Sequence, residues 1–202
     1  MFFWPGRFLC WLFLRLFFHL KVEDAGHVPA RGGFILAGNH VSYLDPVAFG
    51  VACPRGLYFM AKDSLFKGIF ACILRSVHAF PLKRNSADVA ALKKALKLLK
   101  TGKGIFLFPE GTRTVGGTLG QPRTGVGFLM RKSGVPVVPA YVEGTDRALP
   151  KTGKRFHSAH IKVTFGEPFF PFSGGLSDEE VSRKVMDRIS ELKARQQAKM
   201  SR

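Results

Sequence analysis

Cysteine is scarce in this 202-residue chain: Cys10, Cys53 and Cys72 are odd in number, form no CxxC pair and sit in apolar stretches. That pattern excludes a disulfide framework and a zinc site, and it suits a reducing compartment. Acidic residues are few as well, 14 Asp and Glu against 31 Lys and Arg, which gives a formal net charge of +17 and a pI near 10.3. An excess of this size points to a polyanionic partner: nucleic acid, an anionic bilayer or phosphorylated ligands. The chain lacks any recognised nucleic-acid-binding motif or clustered aromatic platform, so no nucleic acid is expected among its partners. It also has no internal repeat of useful length. Glu-Gly-Thr occurs at 110–112 and again at 143–145, each time after an expected strand, as two similar turns would give.

A long uncharged apolar run is missing too. The first twenty residues, MFFWPGRFLCWLFLRLFFHL, are interrupted by Arg7 and Arg15, whereas a spanning helix wants roughly 20 residues with few or no charges. No small-x-small cleavage site follows in HLKVEDAG, which argues against a signal peptide. At about 100° per residue, Arg7, Arg15, His19 and Lys21 fall in one sector of a helix. Phe8, Leu12, Phe13, Leu16, Phe17 and Leu20 cover most of the rest. This is the pattern of a helix lying in a membrane interface, with its basic side chains meeting anionic head groups; a buried core helix and a true span or signal are the alternatives. The expected organisation is a membrane-associated N-terminal helix over 1–22 and one globular domain over 23–202, with 46% hydrophobic content and 20 Phe to fill its core.

Beyond that segment, short apolar runs alternate with helical patterns. Strands are expected at 34–37, 57–61, 77–80, 105–108, 137–142 and 161–165, several apolar throughout as buried strands are. One helix is expected to start near Asn85 or Ser86, to place Val89, Leu92, Leu96 and Leu99 on one face with lysines elsewhere, and to end at Gly102. Another is expected from Ser177, with Glu180 three residues on as a capping box and Val181, Val185, Ile189 and Leu192 packed inward. Such alternation implies an α/β fold, a mixed, largely parallel sheet sandwiched by helices.

Two segments carry the chemistry. In Phe34-Ile35-Leu36-Ala37-Gly38-Asn39-His40-Val41-Ser42-Tyr43-Leu44-Asp45-Pro46 a strand runs into a polar cluster, and ligands commonly bind at strand ends of open α/β sheets. An Asp five residues after a His can hold one ring nitrogen and leave the other to take a proton from a hydroxyl. His19 and Asp24 share this spacing but lack a leading strand, and we treat them as coincidence. Asp45 before Pro46 also suits a helix N-cap. In Ile105-Phe106-Leu107-Phe108-Pro109-Glu110-Gly111-Thr112-Arg113-Thr114, Pro109 stiffens a turn, Gly111 allows close backbone approach, and Arg113 suits a phosphate. Ser42 and the cysteines are candidate nucleophiles for a covalent route, although no base is clearly placed beside them.

Four blocks in order give a specific resemblance: Asn39-His40-x-x-x-x-Asp45, Phe80-Pro81-Leu82-Lys83-Arg84, Phe108-Pro109-Glu110-Gly111-Thr112-Arg113, and Val135-Pro136-Val137-Val138-Pro139-Ala140. Over about residues 20–170 the chain resembles the 1-acylglycerol-3-phosphate acyltransferase family. Thr114 stands where Ser is commoner, and Arg123 where a Lys often precedes a Gly. The resemblance implies an enzyme of phospholipid biosynthesis that moves a fatty acyl group from acyl-CoA or an acyl-carrier protein to lysophosphatidic acid, giving phosphatidic acid. It implies no cofactor and no metal, and a peripheral or monotopic place on the cytoplasmic face of a membrane with anionic lipids. It makes His40 the general base and Asp45 its orienting partner. Arg84, Glu110, Gly111, Thr112 and Arg113 become the substrate-binding set, with Glu110 placing the glycerol or fixing an arginine. Other acceptors, such as glycerol 3-phosphate or a different lysophospholipid, fit the same blocks, and a non-catalytic peripheral membrane protein is the remaining alternative.

Overall fold

The structure is a computed structural model and describes residues 3–83, 88–115, 118–153, 155–170 and 175–200. Helix α1 (Phe3–Phe18) leads into strand β1 (Lys21–Glu23), followed by β2 (Phe34–Gly38), α2 (Asp45–Ala52), β3 (Leu57–Lys62), α3 (Gly68–Ser76) and β4 (Ala79–Leu82). Then come α4 (Val89–Lys100), β5 (Gly104–Leu107), α5 (Thr124–Ser133), β6 (Val137–Glu143), α6 (Thr145–Ala148), β7 (Lys162–Phe165) and α7 (Asp178–Met200). Among the described residues the strands form one sheet in the order β1-β7-β6-β2-β5-β3-β4, parallel throughout except for the antiparallel β6–β7 pair. The expected mixed, largely parallel sheet sandwiched by helices is what the chain forms.

Side-chain alternation along each strand divides the core into two layers. Phe34 and Leu36 of β2 join Leu14 and Phe18 of α1, Phe49 of α2 and Phe106 of β5 on one face. Ile35 and Ala37 face the other way, into Ala95 and Leu99 of α4, Leu129 of α5, and Val181, Val185 and Ile189 of α7. Because β2 is covered on both faces, all five of its residues are buried, which explains its unbroken apolar run.

Several boundaries differ from expectation. The N-terminal helix stops at Phe18, His19 takes a positive φ of 47°, and Lys21 lies on edge strand β1 instead of the helix. Arg7 turns inward and donates to the backbone oxygens of Val51 and Cys53, where the C-terminal carbonyls of α2 need donors. The apolar side chains Trp4, Phe8, Leu9, Leu16 and Phe17 are well exposed, and Trp11 and Phe13 are partly so, while Leu14 and Phe18 are buried. Among the described residues, no helix is long and apolar enough to cross a membrane.

Helix α4 begins at Val89 behind an Asp88 cap that accepts from the Ala91 amide; the starts expected at Asn85 and Ser86 lie outside the described residues. Its fully buried stripe is Ala91, Ala95 and Leu99, while Val89 is exposed, because a helix seated close to a sheet puts its small side chains at the contact. The capping box at α7 forms as expected: the Ser177 amide donates to Glu180 and the Glu180 amide to the Ser177 hydroxyl.

Candidate active site

Strands β5, β2 and β6 are neighbours and run parallel, so the loops leaving their C-terminal ends meet at one edge of the sheet. This register brings together segments that are distant in sequence. Asn39, the first residue past β2, copies a backbone pairing with its side chain: Nδ2 donates to the Val142 carbonyl at 2.9 Å and Oδ1 accepts the Val142 amide at 2.7 Å. The end of β2 is thereby fixed to β6.

His40 follows, and its Nδ1–H donates to Asp45 Oδ2 at 2.7 Å. The Asp45 carboxylate is fully buried, while the imidazole keeps 11% of its surface exposed. The same Oδ2 accepts the Val41 and Ser42 amides, each at 2.7 Å, and Oδ1 accepts the Thr145 hydroxyl at 2.6 Å. Asp45 is the first residue of α2 and Leu44 stands at the cap position, so its carboxylate closes the preceding loop instead of capping the helix. The His40 ring lies flat on Phe108, with centroids 3.7 Å apart and planes at 11°. With Nδ1 committed to the carboxylate, Nε2 is the basic nitrogen. By contrast, His19 packs against His160 with the rings tilted and Asp24 pairs with Arg195, so the other His-x4-Asp spacing builds no comparable site.

The turn after β5 is bound to this loop. Thr114 donates its amide to the His40 carbonyl at 2.9 Å. Glu110 is buried, and its two oxygens accept the backbone amides of His40 at 2.9 Å and Gly120 at 2.6 Å. It is therefore a strut between loops, where a partner to an arginine was one expectation. Burial pushes its carboxyl above the ordinary range, and the Gly120 and His40 amides pull it only part of the way back. Gly111 sits at φ 65°, and a Cβ there would come within 2.5 Å of Arg123 Nε. Thr112 is exposed.

Arg113 stacks its guanidinium on Tyr43, 3.5 Å from the ring centroid. Its Nη1 is buried with no hydrogen-bond partner among the described residues. The stack fixes the plane of the guanidinium, and a fixed planar guanidinium suits paired hydrogen bonds to a phosphate. The second block supplies β4, and Arg84 lies outside the described residues.

Of the nucleophile candidates, Cys10 and Cys72 are exposed on α1 and α3, whereas Ser42 and Cys53 are buried. The buried Ser42 hydroxyl donates to the Leu149 carbonyl at 2.7 Å and accepts the Leu44 amide. Burial pushes the Cys53 thiol up to about 11.

Thr145 is the residue that the sequence did not single out. It opens α6 directly after Gly144, whose φ is 82° and where a Cβ would come within 1.9 Å of the His160 carbonyl. Its signal was the second Glu-Gly-Thr, which repeats the first as a turn after a strand.

Known proteins resemble this chain in sequence and in fold. A family model described as Acyltransferase matches residues 19–143. The chain is 32% identical over 152 residues to the 1-acyl-sn-glycerol-3-phosphate acyltransferase of Bacillus subtilis (strain 168), covering 74% of this chain and 73% of that protein. It is 29% identical to the chloroplastic 1-acyl-sn-glycerol-3-phosphate acyltransferase BAT2 of Brassica napus, covering 86% of this chain but only 52% of that longer protein. The crystal structure of the 1-acyl-sn-glycerophosphate (LPA) acyltransferase PlsC from Thermotoga maritima superposes with a TM-score of 0.79 at 27% identity, over 95% of this chain and 80% of that one.

Proposed function

The chain belongs to the acyltransferase family, and we propose that it acylates the sn-2 hydroxyl of 1-acylglycerol 3-phosphate to give phosphatidic acid, with His40 as general base. The observation that carries this reading is the Asp45 carboxylate, which three other hydrogen bonds hold against His40 Nδ1. A carboxylate so fixed sets the tautomer of the imidazole and stabilises the imidazolium. Nε2 takes the proton of the acceptor hydroxyl as its oxygen attacks the thioester carbonyl. The tetrahedral intermediate collapses, the C–S bond breaks, and the departing thiolate takes the proton back from His40. No acyl-enzyme is required, because a thiolate is a good leaving group.

Arg113 binds the acceptor phosphate with the guanidinium that it holds flat on Tyr43, and Arg84 is given the same role from its place in the second block. Glu110 acts indirectly, holding the His40 amide and the loop that carries Arg113. Acyl-CoA and acyl-carrier protein are the two donor classes, and each presents the same thioester. The exposed aromatic face of α1 supports a peripheral place on the membrane that holds the lysolipid.

The test is acyl transfer by purified protein in anionic lipid micelles, offering lysophosphatidic acid with acyl-CoA or with acyl-carrier protein, beside His40→Ala. Phosphatidic acid should form with the wild type, and the variant should lose roughly 10²- to 10⁴-fold, the usual share of a general base. Absence of product with both donors, from folded protein, would sink this assignment.

A further inference from the structure

The segment between β3 and β4 is built like an interfacial helix, although nothing in the reaction above uses it. Ile69 and Ile73 lie one turn apart on α3 and are 70% and 50% exposed, with Leu65 just before the helix at 52% and Val77 just after it at 39%. The basic residues Lys62, Lys67 and Arg75 are exposed around this stripe, and Asp63 is the one acid between residues 62 and 77. An isolated apolar side chain on a surface is ordinary, but a helical stripe rimmed with lysine has the composition of a membrane-surface helix.

The topology says which way this stripe looks. The crossovers β2-α2-β3 and β3-α3-β4 both advance in the same direction across the sheet. Right-handed connection therefore sets α2 and α3 on one face. Helix α1 packs on that same face, anchored to the end of α2 by Arg7. The exposed Trp4, Phe8, Leu9, Leu16 and Phe17 of α1 and the α3 stripe thus belong to one side of the molecule. Helix α3 also begins just past Lys62, at the C-terminal edge where the His40 loop lies.

We propose that the face formed by Leu65, Ile69, Ile73 and Val77, with Lys62, Lys67 and Arg75, docks on an anionic lipid bilayer as a second contact beside α1, holding the C-terminal edge of the sheet at the membrane surface. The proposal rests on the acyl-transfer reading in so far as the acceptor is a lipid. Two apolar helices on one side suit a lipid plane better than a single small protein, and the basic rim suits anionic head groups.

Cys72, exposed on α3 between the two isoleucines, is a natural reporter, since Cys53 is buried. Full-length Cys10→Ser protein, labelled at Cys72 with an environment-sensitive fluorophore, is mixed with phosphatidylcholine vesicles with or without phosphatidylglycerol. A blue shift that needs the anionic lipid and weakens with salt is expected. Ile69→Ser with Ile73→Ser should lower vesicle partitioning about fivefold or more. The same pair should lower turnover of vesicle-borne lysophosphatidic acid and leave turnover of a short-chain, monomeric acceptor unchanged. A label that stays in water while the protein floats with the vesicles would overturn the proposal, as would a double variant that partitions like the wild type. A defect confined to the carrier-protein donor would reassign the face to that donor and also overturn it. Failure of wild type on every acceptor, with lipid-dependent docking intact, would instead count against the acyl-transfer reading alone.

Discussion

Replacing Thr145 by Val keeps the shape of the side chain and removes only the hydroxyl that donates to Asp45 Oδ1 at 2.6 Å. Both residues are fully buried, so no water stands ready to replace the donor. A hydrogen bond to a charged group contributes about 1.5–3 kcal/mol. The other oxygen of Asp45 already accepts His40 Nδ1 and two amides, so the carboxylate would be freed on one side only and would turn about the remaining three bonds. If the whole of that energy is lost from the orientation of His40 at the transition state, kcat falls about 10- to 150-fold, at 1.36 kcal/mol per factor of ten. Thr145 acts through Asp45, so KM for the acceptor should hardly move, and Thr145→Ser should restore most of kcat. Steady-state kinetics of the three proteins, with their denaturation midpoints as a fold control, give the answer. A Val variant with full kcat, or a Ser variant as impaired as Val, would refute the positioning role.

Arg113 offers a different split: Arg113→Lys keeps the charge but loses the paired geometry and the flat stack on Tyr43, so KM for lysophosphatidic acid should rise about tenfold while kcat changes little. An unchanged KM would remove Arg113 from the phosphate site. Glu110 predicts a pH effect on stability. Burial raises its folded-state value above the ordinary carboxylate range, so the native protein binds this proton more tightly than the unfolded chain does. The resulting stability is fully present below the ordinary value and is lost as pH rises through the raised one. Denaturation midpoints across the weakly acidic range should therefore fall with rising pH more steeply in wild type than in Glu110→Gln, and parallel curves would refute the assignment.

Six of the seven strands were legible as apolar runs, and β1 was not. It has three residues, pairs among the described residues only with β7 at the edge, and leaves Val22 exposed, so it produces no burial pattern to read. Strand β4 was expected two residues early, because Val77 is apolar but closes α3, and His78 takes a positive φ of 62° before the strand begins. Pro81 within β4 is tolerated because that strand lies at the sheet edge. For α1 the pattern of charges was visible, but not their target. Arg7 fits a head-group contact in sequence and instead satisfies backbone carbonyls at the end of α2, a partner more than forty residues away.

The His-Asp pair could be read locally because its two members are five residues apart and one loop holds them. What makes the pair rigid could not be read that way. Asn39 is tied to Val142, Asp45 to Thr145, and the His40 amide to Glu110, so three of the holding contacts reach partners 70 to 103 residues distant, on or just past the neighbouring strands. These contacts depend on β2 standing between β5 and β6, an order that periodicity does not reveal. The two Glu-Gly-Thr turns acquire meaning only in that order. Each leaves a strand flanking β2, each turns through a glycine with positive φ, and each sends one polar side chain to the central loop: Glu110 from the first turn and Thr145 from the second. The repeated tripeptide is thus one local solution used on both sides of the catalytic loop, and its two copies contribute different residues because β5 and β6 approach that loop from opposite sides.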